Sequence, residues 1–201
     1  TRGVYSVHAN KPLTIEHGPE TKPLIEAAHK EWGDKLFVFD GFGSSDFDEI
    51  CGIIRFAAKG LDVRCVVLDH VSIIVSSLDT DDERRAIDEM MTKLRKLCEE
   101  TGIVLFLVSH LKRPQGKGHE DGGQVSLSQL RGSASLAQLS DLVIGIERDQ
   151  QTEDESVRNV STLRVLKNRY SGATGPAGKL KYVAETGRMV PCHDFAGTDF
   201  A

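Results

Sequence analysis

The chain has 201 residues, of which 39% are hydrophobic and 27% charged, with 19 glycines and a formal net charge of -5. These proportions describe one ordinary globular domain, long enough to bury roughly 70% of the surface its unfolded form exposes, so a core needs neither disulfides nor a metal. They exclude a membrane span, since no apolar run approaches roughly 18 residues, and a surface coated uniformly for nucleic acid.

In chain order, the first predicted element is a strand at residues 35–39 (KLFVF), a β-branched and aromatic run that ends in Asp40-Gly41. Ser45-Asp46 opens a helix in which Phe47, Ile50, Ile53, Ile54 and Ala57 recur at helical spacing until Gly60 stops it. Residues 64–68 (RCVVL) form an apolar run closed by Asp69, the pattern of a strand buried on both faces of a parallel sheet. A helix over residues 80–100 starts on Asp81, Asp82 and Glu83, carries Ile87, Met90, Met91, Leu94 and Leu97, and stops at Gly102. Residues 103–108 (IVLFLV) make a second buried strand, with Ser109-His110 at its end. After a Gly-rich loop at 114–123, Ser126 or Ser128 caps a helix through Leu139, and residues 142–146 are a third buried strand. Beyond the polar stretch 149–156, residues 157–169, 179–183 and 188–190 read as short strands joined by Gly-containing turns. The alternation predicts an α/β fold: a doubly wound parallel sheet flanked by helices, with an antiparallel C-terminal extension.

The cysteines, Cys51, Cys65, Cys98 and Cys192, spell no CxxC pair, and no two histidines stand at the i, i+4 spacing of a helical metal site. A metal held by His and Cys is not expected, and the thiols are read as free and mostly buried. Asp69-His70 and Ser109-His110 immediately follow apolar strands, where open α/β sheets bind their ligands. An aliphatic run ending in Asp is also the layout of a Walker B strand, whose carboxylate orders Mg²⁺ on a nucleotide's phosphates; an Asp that only orders a loop looks the same. Lys112, Arg113 and Lys117 form a basic cluster within six residues on the following loop, compatible with a confined nucleic-acid site, with a solvated turn as the alternative. Lys167 and Arg169 are two apart on a predicted strand, so both leave the same face and reach the same neighbour.

The segments LDHVSIIV, SHLKRP, LRGSASLAQLSD and LKNRYSGATG follow one another at domain-like spacing. With them the chain resembles, over nearly its whole length, the C-terminal part of the RecA-like motor in ring helicases of the DnaB and Twinkle group, and within that group the primase-helicases of short-tailed phages. The resemblance implies a motor portion at residues 1–192 and a tail at 193–201 (HDFAGTDFA). It makes Asp69 the Walker B carboxylate, holding Mg²⁺ through water, and His110 the sensor of the γ-phosphate. It sets Lys112, Arg113, Lys117 and, in the next motif, Arg131 and Gly132 against single-stranded DNA, with Ala137 standing where the phage relatives carry an arginine. Arg169 becomes an arginine finger and Lys167 its companion, both directed at the adjacent subunit's nucleotide. Arg148 and Tyr182 become the pair that sandwiches the base, although surface packing suits either side chain as well. The implied activity is ATP-driven (or dTTP-driven) translocation of a homo-oligomeric ring, expected to be a hexamer, along single-stranded DNA in the cytoplasm, the host's if the source is viral. No membrane is involved, and the short, weakly acidic tail reads first as a disordered chain end, with contact to a replicative DNA polymerase as the alternative.

No GxxxxGK[ST] occurs, the Gly-Lys pairs being Gly116-Lys117 and Gly178-Lys179. The chain opens on Thr1 with neither methionine nor a secretory leader. It is therefore expected to be a fragment that lacks the P-loop and the general base and does not hydrolyse ATP by itself. Two other classes stay open. A RecA- or RadA-type recombinase shares the Walker B strand but is not expected to carry SHLKRP followed by RGSASL, and a non-catalytic paralogue keeps only DNA or subunit contacts. The coding sequence upstream of Thr1 separates them.

Overall fold

The computed structural model describes residues 21–39, 46–71, 83–112, 114, 116–130 and 134–192. In order, they form helices α1 (Lys22–Trp32) and α2 (Phe47–Gly60), strand β1 (Cys65–Leu68), helix α3 (Glu83–Thr101), strand β2 (Val104–Leu107), a 3-10 turn (Leu127–Gln129) and short helix α4 (Ser135–Leu139). Strand β3 (Leu142–Arg148), helix α5 (Glu155–Arg158) and strands β4 (Val160–Asn168), β5 (Gly175–Val183) and β6 (Arg188–Pro191) follow. β1 and β2 pair in parallel, Cys65 opposite Val104 and Leu68 opposite Leu107. β3 to β6 form an antiparallel sheet in sequence order. No helix among the described residues is long and apolar enough to cross a membrane.

Helix α3 organises the core. Its Ile87, Met90, Leu94 and Leu97 recur every three or four residues, so they line one face, and all four are fully buried. Each such side chain contributes roughly 1.5–3 kcal/mol when it leaves water. Phe47, Cys51 and Ile54 of α2, Ile103, and Leu136 of α4 join this cluster, and Val66, Leu68, Leu105 and Leu107 pack against it from one face of the parallel pair. α2 starts where Asp46 accepts a hydrogen bond from the Asp48 N–H, leaving Asp48 and Glu49 against the positive end of the helix. α3 ends because Gly102, at φ 72°, takes the left-handed conformation that closes a helix, its N–H donating to the Cys98 carbonyl at 2.8 Å.

Several expectations need correction. Residues 36–39 belong to no strand among the described residues, and Leu36, Phe37, Val38 and Phe39 are all exposed. β1 and β2 are covered on one face and not both. Val67 is 66% exposed and Phe106 53%, on the side away from the core. Residues 142–146 are not a third buried parallel strand: they belong to β3, which pairs antiparallel with β4 and leaves Leu142, Ile144 and Ile146 exposed. The helix expected from Ser126 to Leu139 is instead a single 3-10 turn and the five-residue α4. Ser126 does open the turn, in a capping box with Gln129, but Leu130 then turns to ψ 128° and leaves helical geometry. The run 157–169 divides into the end of α5 and β4. The cysteines are free, yet only Cys51 is buried; Cys65 is exposed and the other two are intermediate.

Two consequences can be measured. A Cβ on Gly145 of β3 would run into the Val125 side chain, so Gly145→Ala is expected to cost about 1–3 kcal/mol of stability in denaturant titration. Gly52→Ala, inside α2 with nothing near its Cβ direction, is expected to stabilise by about 1 kcal/mol. Equal midpoints for the two variants would refute the close approach at Gly145. Burial, and next the Asp48 carboxylate, push the Cys51 thiol pKa up, so iodoacetamide should modify exposed Cys65 well before Cys51.

Candidate functional site

The parallel register brings the ends of β1 and β2 level, and the Val71 N–H donates to the Val108 carbonyl just beyond them. Asp69, His70, Ser109 and His110 therefore stand together at the carboxyl edge of this pair. The His70 and His110 rings meet edge to face with centroids 4.2 Å apart. The Nδ1 of His70 is buried without a hydrogen-bond partner among the described residues. Asp69 is exposed, and no hydrogen bond or ion pair engages its carboxylate among the described residues. A strand-end carboxylate left open to water suits Mg²⁺, which keeps most of its hydration and takes one or two protein oxygens. No cluster of three or more His, Cys, Asp or Glu suited to a metal occurs among the described residues.

The chain beyond His110 runs back beside the 3-10 turn: Leu111 bridges Leu130 and the Lys112 N–H donates to the Gln129 carbonyl at 2.7 Å. Lys112 and Lys117 are exposed, and His119 ties their loop together through a 3.2 Å contact between Nε2 and the Lys112 carbonyl oxygen. The base of the loop is anchored to the sheet. Glu147 of β3 accepts from the Val125 N–H at 3.0 Å and from Arg164 Nε at 2.6 Å, in an ion pair whose side chains are only 11% and 18% exposed. Arg113, Arg131 and Gly132 lie outside the described residues, as does the 193–201 tail.

Lys167 and Arg169 do share one neighbour, and it belongs to their own chain. Lys167 Nζ donates to the carbonyls of Ala137, Gln138 and Ser140 at 2.6, 3.0 and 2.8 Å, closing the C-terminal end of α4. Arg169 Nη2 donates to the Gln138 carbonyl at 2.8 Å, and its Nη1 lies 3.2 Å from Asp141 Oδ1. Their direction comes from the ladder. Val143 pairs with Lys167 but Ile144 pairs with Val165, so Leu166 is an extra residue that re-aims the end of β4 toward α4.

Arg148 and Tyr182 come to the same corner of the antiparallel sheet. Arg148 pairs with Ser161, which pairs with Leu180, and Tyr182 is two residues beyond Leu180, so both side chains leave the same face. Arg148 Nε donates to the Arg158 carbonyl at 2.7 Å and the Tyr182 N–H to the Asn159 carbonyl at 2.8 Å. The sequence reading places His70 at the strand end but gives it no role, and it passes over Asp141. Both lie inside the segments that carried the resemblance, one beside Asp69 and the other closing LRGSASLAQLSD, but nothing in their spacing announces a contact.

The family described as the DnaB-like helicase C terminal domain matches residues 7–190. The chain belongs to it. Among members and relatives of this DnaB-like family, the DNA helicase/primase of Enterobacteria phage T3 is 39% identical over 191 residues, which take in 90% of this chain and 33% of that protein. The replicative DNA helicase DnaB of Mycobacterium intracellulare is 27% identical over 126 residues, 63% of this chain and 22% of the relative. The chain thus spans about a third or less of these relatives. In fold it is similar to a KaiC-like protein from the hyperthermophilic archaeon Pyrococcus horikoshii, with TM-score 0.56, 15% identity and coverage of 89% of this chain and 73% of that one. That likeness concerns the fold alone, a RecA-like α/β arrangement with an antiparallel extension.

Lys167 bonds three carbonyls, of which it shares the Gln138 one with Arg169. Lys167→Met is expected to lower stability by about 1–3 kcal/mol, since it strands acceptors that bonded a charged donor. Lys181→Met, on exposed β5, is expected to stay within about 0.5 kcal/mol. Thermal denaturation that ranks the two alike would remove Lys167 from the α4 terminus.

Proposed function

We propose that this chain is the C-terminal part of the motor of a replicative ring DNA helicase, with residues 1–192 in the motor and 193–201 as a tail that contacts a replicative DNA polymerase. The observation that carries the reading is the meeting of Asp69, His70 and His110 at one strand edge, with the Lys112–Lys117 loop leaving from it, in a chain of the DnaB-like family. The complete protein hydrolyses ATP or dTTP and moves along single-stranded DNA as a homo-oligomeric ring, expected to be a hexamer, in the cytoplasm, the host's if the source is viral.

In this reading Asp69, free of other partners among the described residues, would hold Mg²⁺ through water, and the bound ion would screen the charge of the nucleotide's phosphates. His110 donates to a terminal phosphate oxygen and loses that acceptor when the phosphate departs, so the loop it begins responds to the state of the nucleotide. Lys112 and Lys117, with Arg113, Arg131 and Gly132, hold DNA phosphates by charge, without reading sequence. Arg169 and Lys167 neutralise charge on the phosphoryl group bound by the adjacent subunit. Arg148 and Tyr182 share a sheet face, which supports their stacking on opposite sides of a base. The apolar side chains left uncovered on β1, β2 and β3 support a further layer of polypeptide on that face, the portion that brings the phosphate cradle.

The 201-residue chain alone is expected to show no Mg²⁺-dependent ATP turnover above background, because no GxxxxGK[ST] is present to offer phosphates a nest of N–H groups. In the complete protein Asp69→Asn, which removes a charge and keeps the volume, is expected to abolish turnover while rings still assemble by size-exclusion chromatography. Full turnover in that variant would reassign Asp69 to a structural role.

A further inference from the structure

Asp141 sits between two cations from different parts of the fold. Its Oδ2 accepts from Arg95 Nη1 of α3 at 2.7 Å, and its Oδ1 lies 3.2 Å from Arg169 Nη1. Arg95 is itself steadied by Glu99 one turn on, at 3.0 Å from Nε to Oε1. Asp141 also receives the Arg169 backbone N–H on its own carbonyl at 2.8 Å, one step beyond the Leu142–Asn168 pair that ends the ladder. Residue 169 is therefore held by Asp141 twice, through backbone and side chain. A carboxylate needed only to tie α3 to the start of β3 would be satisfied by Arg95; the second oxygen is spent on Arg169.

The guanidinium of Arg169 is held along one edge. Nη1 faces Asp141, Nη2 donates to the Gln138 carbonyl at 2.8 Å, and no other hydrogen bond engages it among the described residues. The side chain stays 42% exposed, so the remaining donors of the planar fork are open to solvent while its orientation is fixed. An unsupported arginine spreads over many rotamers and must lose that freedom when it meets a phosphate. Here that ordering is done beforehand by groups that remain in place.

We propose that Asp141, anchored by Arg95, is the positioning residue for Arg169: it orients the guanidinium that acts on the adjacent subunit's nucleotide. The inference rests on the finger reading of Arg169. It assigns Asp141 no contact with nucleotide or DNA; the carboxylate acts through the arginine alone. Its loss should appear in the step where charge develops on the phosphoryl group and hardly at all in nucleotide affinity.

The test uses the full-length protein with its upstream motor portion, and measures DNA-stimulated ATP turnover for the wild type, Asp141→Asn, Arg169→Ala and the double variant. Asp141→Asn is expected to lower kcat about 10- to 100-fold with KM for ATP within about twofold. In the Arg169→Ala background it is expected to add nothing. Mixed rings give a second readout that survives even if Arg169→Ala has no measurable turnover. Asp141→Asn subunits should regain activity with Asp69→Asn subunits, which lack the other half of the composite site, and gain none with Arg169→Ala subunits, which share their defect. Unchanged kcat, an equal further loss in the Arg169→Ala background, or recovery with Arg169→Ala subunits would overturn the role of Asp141. If Arg169→Ala itself keeps wild-type turnover, the finger reading fails and Asp141 loses its function with it. Should Asp141→Asn rings not assemble, Asp141→Glu, which keeps the charge one methylene farther out, carries the same kcat and mixing measurements.

Discussion

The packing of one helix face against one strand pair supports everything else in this molecule. Ile87, Met90, Leu94 and Leu97 of α3 share one core with Val66, Leu68, Leu105 and Leu107, so the helix covers the strand pair whose parallel register sets β1 and β2 level at their carboxyl ends. That register keeps Asp69 and His110 on one edge. The same helix carries Arg95 on its flank, so its position also fixes Asp141 and, through it, Arg169. One buried apolar stripe thus supports both the edge that carries Asp69 and His110 and the Arg95–Asp141–Arg169 series on its flank. The interactions differ in kind: the stripe is dry and non-directional and gives stability, whereas the flanking ion pairs are partly exposed, contribute little to stability, and give direction.

The two sheets are used differently. The parallel pair has a helical layer on one side and bare Val67, Val104 and Phe106 on the other, although its residues are apolar enough to be covered on both. β3 shows the same asymmetry with Leu142, Ile144 and Ile146. Among the described residues the antiparallel meander is interrupted by the four-residue α5, and its irregularities carry its contribution. The extra residue at Leu166 turns Lys167 and Arg169 onto the end of α4, and Gly145 lets Val125 approach β3 so that Glu147 can reach the Val125 N–H. A regular ladder would have pointed these groups elsewhere.

Lys167 and Arg169 take an orientation that is set within their own chain. The carbonyls at the end of α4 supply it because helix C-termini leave acceptors unpaired, and cations are the natural partners of that negative end. A short helix that looks insignificant by length therefore has a function at its terminus.

Local patterning was legible in the residues themselves. The stripe of α3, the cap at Asp46, the stop at Gly102, the strand ends at Asp69 and His110, and the common neighbour of Lys167 and Arg169 all follow from periodicity, capping chemistry and alternation, which are properties of a few consecutive residues. The motif series also carried the family. What failed was whatever needed a partner elsewhere in the chain. The KLFVF run has strand chemistry but pairs with no strand among the described residues; residues 142–146 read as buried until their antiparallel neighbour and open face are known; and the helix expected after Ser126 breaks at Leu130, where the chain bridges back to Leu111. A strand is completed by hydrogen bonds to a distant segment, and burial by a layer that a short window of sequence does not contain. For the same reason the sequence by itself determined which charged side chains stand at strand ends and on the loop after β2, while only the tertiary structure decided that His70 lies against His110 and that Asp141 grips Arg169.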